Sequence, residues 1–183
     1  MNEFSNKIVW ALAVALAVVM TGRRLRSRPA RPRTPRPPRR ITPRFPTGNY
    51  PGDFTGRPTF TYCPNINGEP DPGEVVWTWV PYEENVTEGK DRPVLLIGRD
   101  GNWLLGLMLT SKDHHRDAAD EAKYGRHWMD LGTGEWDRER RPSEVRLDRI
   151  LRVDPAGVRR EGSVLDKARF SSVARAVEET NGW

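Results

Sequence analysis

The chain has 183 residues, enough for one domain of ordinary size with appendages, and its formal net charge is +5. Its single cysteine, Cys63, excludes an intramolecular disulfide and suits a reducing compartment. The charge is concentrated: residues 23–48 hold ten arginines and no acid and residues 1–22 are neutral, which leaves −5 for residues 49–183. Overall basicity is therefore no argument that the folded part binds nucleic acid broadly.

Residues 8–20, "IVWALAVALAVVM", form an apolar run. As a helix it spans roughly 20 Å, short of the ~30 Å hydrocarbon core of a bilayer. Three readings compete within residues 1–22: a short membrane anchor, a cleaved signal peptide, or non-structural sequence read from an upstream start codon. The uncharged start and the "RRLRSR" cluster behind the run oppose the signal peptide. If the run inserts, the arginines that follow it place the rest of the chain in the cytoplasm. From residue 23 the sequence becomes "RRLRSRPARPRTPRPPRRITPRFPTG". Proline removes backbone donors and the arginines repel one another, so this stretch is expected to be an extended, disordered linker. Residues 49–70 show no periodicity and are assigned to the same linker, with one candidate short strand at 59–62.

The pattern changes at "DPGEVVWTWVPYEE". Val75, Trp77 and Trp79 alternate with Val76, Thr78 and Val80, as on the two faces of a strand. A polar loop, "YEENVTEGKD", leads into "RPVLLIG" and "NWLLGLMLT", joined through Asp100-Gly101, a strong hairpin signal. Continuous apolar character predicts strands covered on both faces. Residues 112–142 are polar, weakly helical at 116–123, with a candidate strand in "HWMDLG". "SEVRLDRILRVD" predicts one or two strands and Pro155 a short helical turn. In "DKARFSSVARAVEE", Phe170, Val173, Ala174 and Val177 share one helical face behind Asp166 as N-cap. Strands followed by a terminal helix predict a small α+β domain.

Four stretches in order, "PGEVVW" (72–77), "EGKDRPVLLIGR" (88–99), "LMLTS" (107–111) and "SEVRLDRILRVD" (143–154), with the last helix, resemble the MazF/PemK toxin family over about residues 71–180. The resemblance implies a small SH3-like β-barrel of CcdB/PemK type with a C-terminal helix, acting as a homodimer. It implies a toxin of a type II toxin–antitoxin system, silenced by a cognate antitoxin, that cleaves single-stranded RNA without metal or cofactor. It also implies the site: the arginine of Arg-Pro and the hydroxyl at the strand end, here Arg92 and Thr110, as catalytic residues, with Ser111, Glu88 and His114 as candidate substrate contacts. The chemistry suits those types. With the 2′-OH as nucleophile on its own phosphate, negative charge grows on the phosphoryl oxygens. A guanidinium meets them with two permanently charged donors and a hydroxyl orients them. DNA, lacking the 2′-OH, is not a substrate.

Each assignment has a plainer counterpart. An arginine before proline is commonly a solvated rim residue, and Thr110 could simply end a strand. Glu83, Glu84 and Glu88 could supply a general base or be solvated loop acids. His114 and His115 follow the Thr-Ser pair, and adjacent side chains diverge on an extended chain, so at most one faces the site as acid or base. Asp113, His114, Asp117 and His127 lack a recognised metal spacing. Trp77, Trp79 and Trp103 are assigned to the core. Trp136, in a charged loop, is either a stacking surface for a base or antitoxin or a loop-packing residue. The rival to a nuclease is a non-catalytic interaction module on the same barrel, a gyrase inhibitor like CcdB or a decayed toxin domain held at a membrane through residues 8–20. The Arg-Pro and Thr-Ser pairing favours the nuclease.

Overall fold

The structure, a computed structural model, describes residues 50–114 and 118–183. The apolar run at 8–20, the arginine-proline stretch and His115 lie outside the described residues. Among those described, no helix is long and apolar enough to cross a membrane.

Seven strands form one antiparallel sheet: β1 (Glu74–Pro81), β2 (Gly89–Asp100), β3 (Trp103–Thr110), β4 (Trp128–Gly132), β5 (Ser143–Arg146), β6 (Leu151–Val153) and β7 (Arg160–Val164). The order is β4-β5-β3-β2-β1-β7. β3 is the branch point: Leu104–Gly106 pair with β6, while Leu109 and Thr110 pair with β5. One strand serving two neighbours on the same edge, together with bulges in β2, β4 and β7, curls the sheet into a half-barrel. Two helices complete the domain, α1 (Ala118–Lys123) and α2 (Lys167–Asn181).

Alternation along the strands builds two cores. Val75, Leu95, Leu105, Leu107, Leu109 and Val145 face α2, which packs Phe170, Val173 and Val177 against them. Val76, Val94, Leu96, Leu104 and Met108 face the other way, under Leu151 and Val153 of β6. Both faces of β2 and β3 are thus covered, as their unbroken apolar character predicts. Gly106 marks a close approach inside the second core, where a Cβ would lie 2.4 Å from Val94 Cγ1. The β2–β3 hairpin turns on Gly101 at φ +59°, and α2 starts on Asp166, whose carboxylate accepts the Arg169 N–H at 2.9 Å.

Some expectations fail. Residues 59–62 form no strand, although the Thr61 N–H reaches the Ile97 carbonyl at 2.9 Å. Residues 50–70, grouped with the linker for want of periodicity, pack on the domain: Phe54 bridges to Ile150, and Phe60 and Tyr62 lie against the α2 core. Trp77, Trp79 and Trp103 are half-buried rather than core: Trp77 and Trp79 alternate with the buried Val76, Thr78 and Val80 on the less covered face of that half of β1, and Trp103 opens β3 at the hairpin. β7, the edge strand beside β1, was not expected.

Candidate active-site cleft

Strand register sets out the site. Thr78 of β1 opposes Arg92 of β2. The β2–β3 ladder is paired as far as Val94 opposite Met108; Pro93, next in β2, has no amide proton to extend it, and Arg92 and Thr110 lie beyond that last pair, two residues on along each strand. Thr110 is in turn the partner of Glu144 on β5, and Glu144 of Asp130 on β4. Directly opposed residues share a face, so Thr110 and Glu144 lie side by side on β3 and β5, and Arg92 of β2, on the other side of β3, lines the same cleft as Thr110. At about 4.8 Å per strand, the outer two backbones stand roughly 10 Å apart.

The row opens into a cleft of about 470 Å³ lined by Arg92, Thr110, His114, Trp128, Arg146 and Glu83, among others. Arg92 and Thr110 also wall a second depression of about 160 Å³, with Ser111, Asp91 and Trp136. Thr110 Oγ1 accepts the Lys112 N–H at 3.2 Å. Among the described residues its own proton has no acceptor, so it is available to a ligand oxygen.

The cleft's arginines divide into two kinds. Arg146 is buried and gives Nη2 to Asp148 Oδ2 at 2.7 Å and Nη1 to Glu83 in a very short contact. Burial works against its charge, but Asp148 and Glu83 hold its pKa above the ordinary arginine value. Reciprocally, the hydrogen bond from Arg146 pulls the Glu83 carboxyl below its usual range. Arg149, also buried, gives Nε to Asp53 Oδ2 at 2.7 Å and Nη1 to the Pro81 carbonyl at 3.0 Å. Arg126 is 3.7 Å from Glu121. Arg92, by contrast, has no hydrogen-bond or ion-pair partner among the described residues. Its charge is the one in this arginine set that the fold leaves uncompensated, which is what an anion site requires.

His114 sits at the inner wall. Its Nδ1 is 2.8 Å from Glu144 Oε2 and its backbone N–H reaches both Glu144 oxygens at 3.2 Å. The ring lies parallel on Trp128 with centroids 4.2 Å apart, and the Arg146 guanidinium stands over the same indole at 5.9 Å.

Of the residues singled out in the sequence, Arg92, Thr110 and His114 come together in the large cleft, with Glu83 and Glu84 on its rim. Ser111 belongs to the smaller depression. Glu88, just before β2, is outside both; four residues of extended strand set its backbone roughly 13 Å from that of Arg92. Among the described residues no His, Cys, Asp and Glu side chains are grouped to hold a metal ion. Trp136 is no stacking surface: it is 1% exposed in the α2 core, with Nε1 on Ser143 Oγ at 3.1 Å. Glu135 before it is exposed, while Asp137 after it is buried with the indole and paired to Arg141 at 2.7 Å. Sequence reasoning missed Trp128, Arg146, Arg149 and the role of Glu144. The only available signal was the Arg146–Asp148 spacing, which puts opposite charges on one side of an extended chain.

The sequence model for PemK-like, MazF-like toxins of type II toxin–antitoxin systems matches residues 71–180. The chain belongs to that family. The match spans β1 to α2 and so contains every strand of the toxin domain described above. No curated protein matches the chain. Among solved structures, two crystal forms of MazE–MazF from Deinococcus radiodurans, Form-II and Form-III, are similar to it. Each has 14% identity and a TM-score of 0.43, over 62% of this chain and 96% of theirs.

Proposed function

We propose that this toxin is a metal-independent endoribonuclease acting on single-stranded RNA, with Arg92 and Thr110 at the scissile phosphate, and that a cognate antitoxin silences it. The 2′-oxygen attacks the adjacent phosphorus, the bond to the 5′-oxygen breaks, and the products carry a 2′,3′-cyclic phosphate and a 5′-hydroxyl. Arg92 spans two phosphoryl oxygens as charge accumulates on them, and Thr110 donates its hydroxyl proton to one, fixing the phosphate for in-line attack. The observation that supports this reading is the shared cleft: Arg92, unpaired among the described residues, and Thr110 line the same cavity of about 470 Å³.

The test is cleavage of end-labelled single-stranded RNA by the full chain in EDTA. Cutting that falls by about 10²–10³ in Arg92→Ala, and that stops when a single 2′-deoxy residue replaces the ribose at the cut, supports the reading. An intact RNA, or equal cutting by Arg92→Ala, overturns it. Inhibition of DNA supercoiling by a chain that leaves RNA intact would assign it instead to the gyrase-inhibitor class.

A further inference from the structure

The nuclease reading leaves one step without a residue: removal of the 2′-OH proton. We infer that His114 is the general base, held in its working tautomer by Glu144. This rests on the nuclease reading and adds to it the proton acceptor.

The argument starts from the carboxylate. Glu144 accepts the backbone N–H of His114 with both oxygens and lies 2.8 Å from the ring Nδ1. An ionised carboxylate only accepts, so Nδ1 carries the ring hydrogen and Nε2 of the neutral imidazole keeps its lone pair. Nothing among the described residues bonds Nε2. The ring, in a residue 7% exposed, lines the same cleft as Arg92 and Thr110.

Packing restricts the ring further. The parallel Trp128 indole fixes its plane and Glu144 fixes its rotation about that plane. Glu144 itself is placed by the sheet, as the ladder partner of Thr110. The group that orients the base and the group that orients the phosphate are thus neighbours on adjoining strands, so one rigid element sets both.

The step balances. The 2′-oxygen gives its proton to Nε2 as the bond to phosphorus forms. The bond from phosphorus to the 5′-oxygen breaks, and that oxygen takes a proton from water in the open cleft. The imidazolium returns its proton to solvent. Other charged groups line the cleft with the ring: Arg92 on β2, Arg146 on β5, Glu83 and Glu84 after β1, Lys112 after β3, Glu121 on α1, Arg126 after it, and Arg149. Arg146, Arg126, Glu83 and Glu121 are tied to one another or to Asp148 in ion pairs, which leaves Glu144 as the carboxylate directly on the ring.

The experiment is the pH dependence of single-turnover RNA cleavage by the full chain, its His114→Asn and Glu144→Gln variants, and Arg92→Ala as control. The wild type should lose activity on the acid side, as the imidazole takes up a proton. His114→Asn keeps a donor toward Glu144 but has no Nε2. It should cut about 10²-fold or more slowly at neutral pH, lose that acid-side fall, and bind uncleavable 2′-O-methyl RNA within about threefold of wild type. Glu144→Gln retains the histidine but loses the carboxylate that orients it, and should cut about 10-fold or more slowly while binding 2′-O-methyl RNA within about threefold of wild type. A His114→Asn protein that cuts within threefold of wild type with the same profile, while Arg92→Ala is dead, overturns this inference and leaves the nuclease reading standing. So does a Glu144→Gln protein that cuts at the wild-type rate. A wild-type chain that does not cut overturns both.

Discussion

Thr110 and Glu144 are partners in one β-ladder, the last pair between β3 and β5, and through Glu144 the sheet holds the His114 ring at 2.8 Å. The hydroxyl is expected to act on substrate rather than on the fold. Thr110→Val keeps the branched shape and deletes the oxygen that accepts the Lys112 N–H, a loss worth about 1 kcal/mol. Cleavage should fall by about 10-fold or more, and Thr110→Ser should restore most of it. Urea unfolding alongside single-turnover cleavage separates the two effects.

Arg92 and Arg146 share the cleft but should fail in opposite ways. Arg92 has no ion-pair partner among the described residues, so Arg92→Ala should stay within about 0.5 kcal/mol of wild-type stability while losing cleavage. Arg92→Lys should recover little, because a point charge cannot span two phosphoryl oxygens. Arg146 is buried against Asp148 and Glu83, and Arg146→Ala strands those carboxylates at a cost of about 3 kcal/mol. Denaturation midpoints for the two alanine variants check the contrast.

The Glu83–Arg146 contact gives stability an acid dependence of known sign. The hydrogen bond from Arg146 lowers the folded-state pKa of Glu83 below its ordinary 4.5, so as pH falls the unfolded chain binds the proton first. The contribution is complete above 4.5 and is lost as pH drops through the folded-state value. Glu83 is partly exposed, so screening limits it to about 1 kcal/mol. Glu83→Gln should lose less stability between neutral and acidic pH than wild type in parallel urea titrations.

Trp128, which opens β4, and Trp136, in the loop after it, should separate. Trp136→Ala empties a buried site in the α2 core and should cost about 3–5 kcal/mol. Trp128→Phe keeps a flat ring beneath His114 and should fold normally, with any loss appearing in cleavage. Thermal melts and RNA anisotropy on both variants distinguish packing from ligand contact.

The strands with a clean period were legible in the sequence. β1 to β3 alternate or run apolar between turn residues, and Asp100-Gly101 places the hairpin. α2 announces itself through Asp166 and the spacing of Phe170, Val173 and Val177. "REGSV" offers no alternation, so β7 was invisible; it is defined by the edge of β1 that it covers. Residues 50–70 have no period because they are held by scattered contacts, such as Tyr62 Oη on the Leu165 carbonyl at 2.9 Å. At the site, Arg92 and Thr110 were readable as family motifs. Arg146 and Arg149 read as solvent-facing because a charged strand residue usually is. What buries them, Glu83, Asp148 and Asp53, comes together only on folding. Trp128 and Trp136 look alike in sequence, each set among charged and polar residues, and only the curl of the sheet decides which one meets the cleft.

Arg92 and Thr110 border two hollows of unequal size, and so occupy a saddle. A polymer draped across it would have its cut linkage on the crest and one flank in each basin. A dinucleotide would set a single nucleoside on each side. Reach beyond the crest then governs turnover: lengthening an oligonucleotide should raise the maximal rate itself as well as the affinity, since hold gained in the basins is spent on seating the linkage at the top.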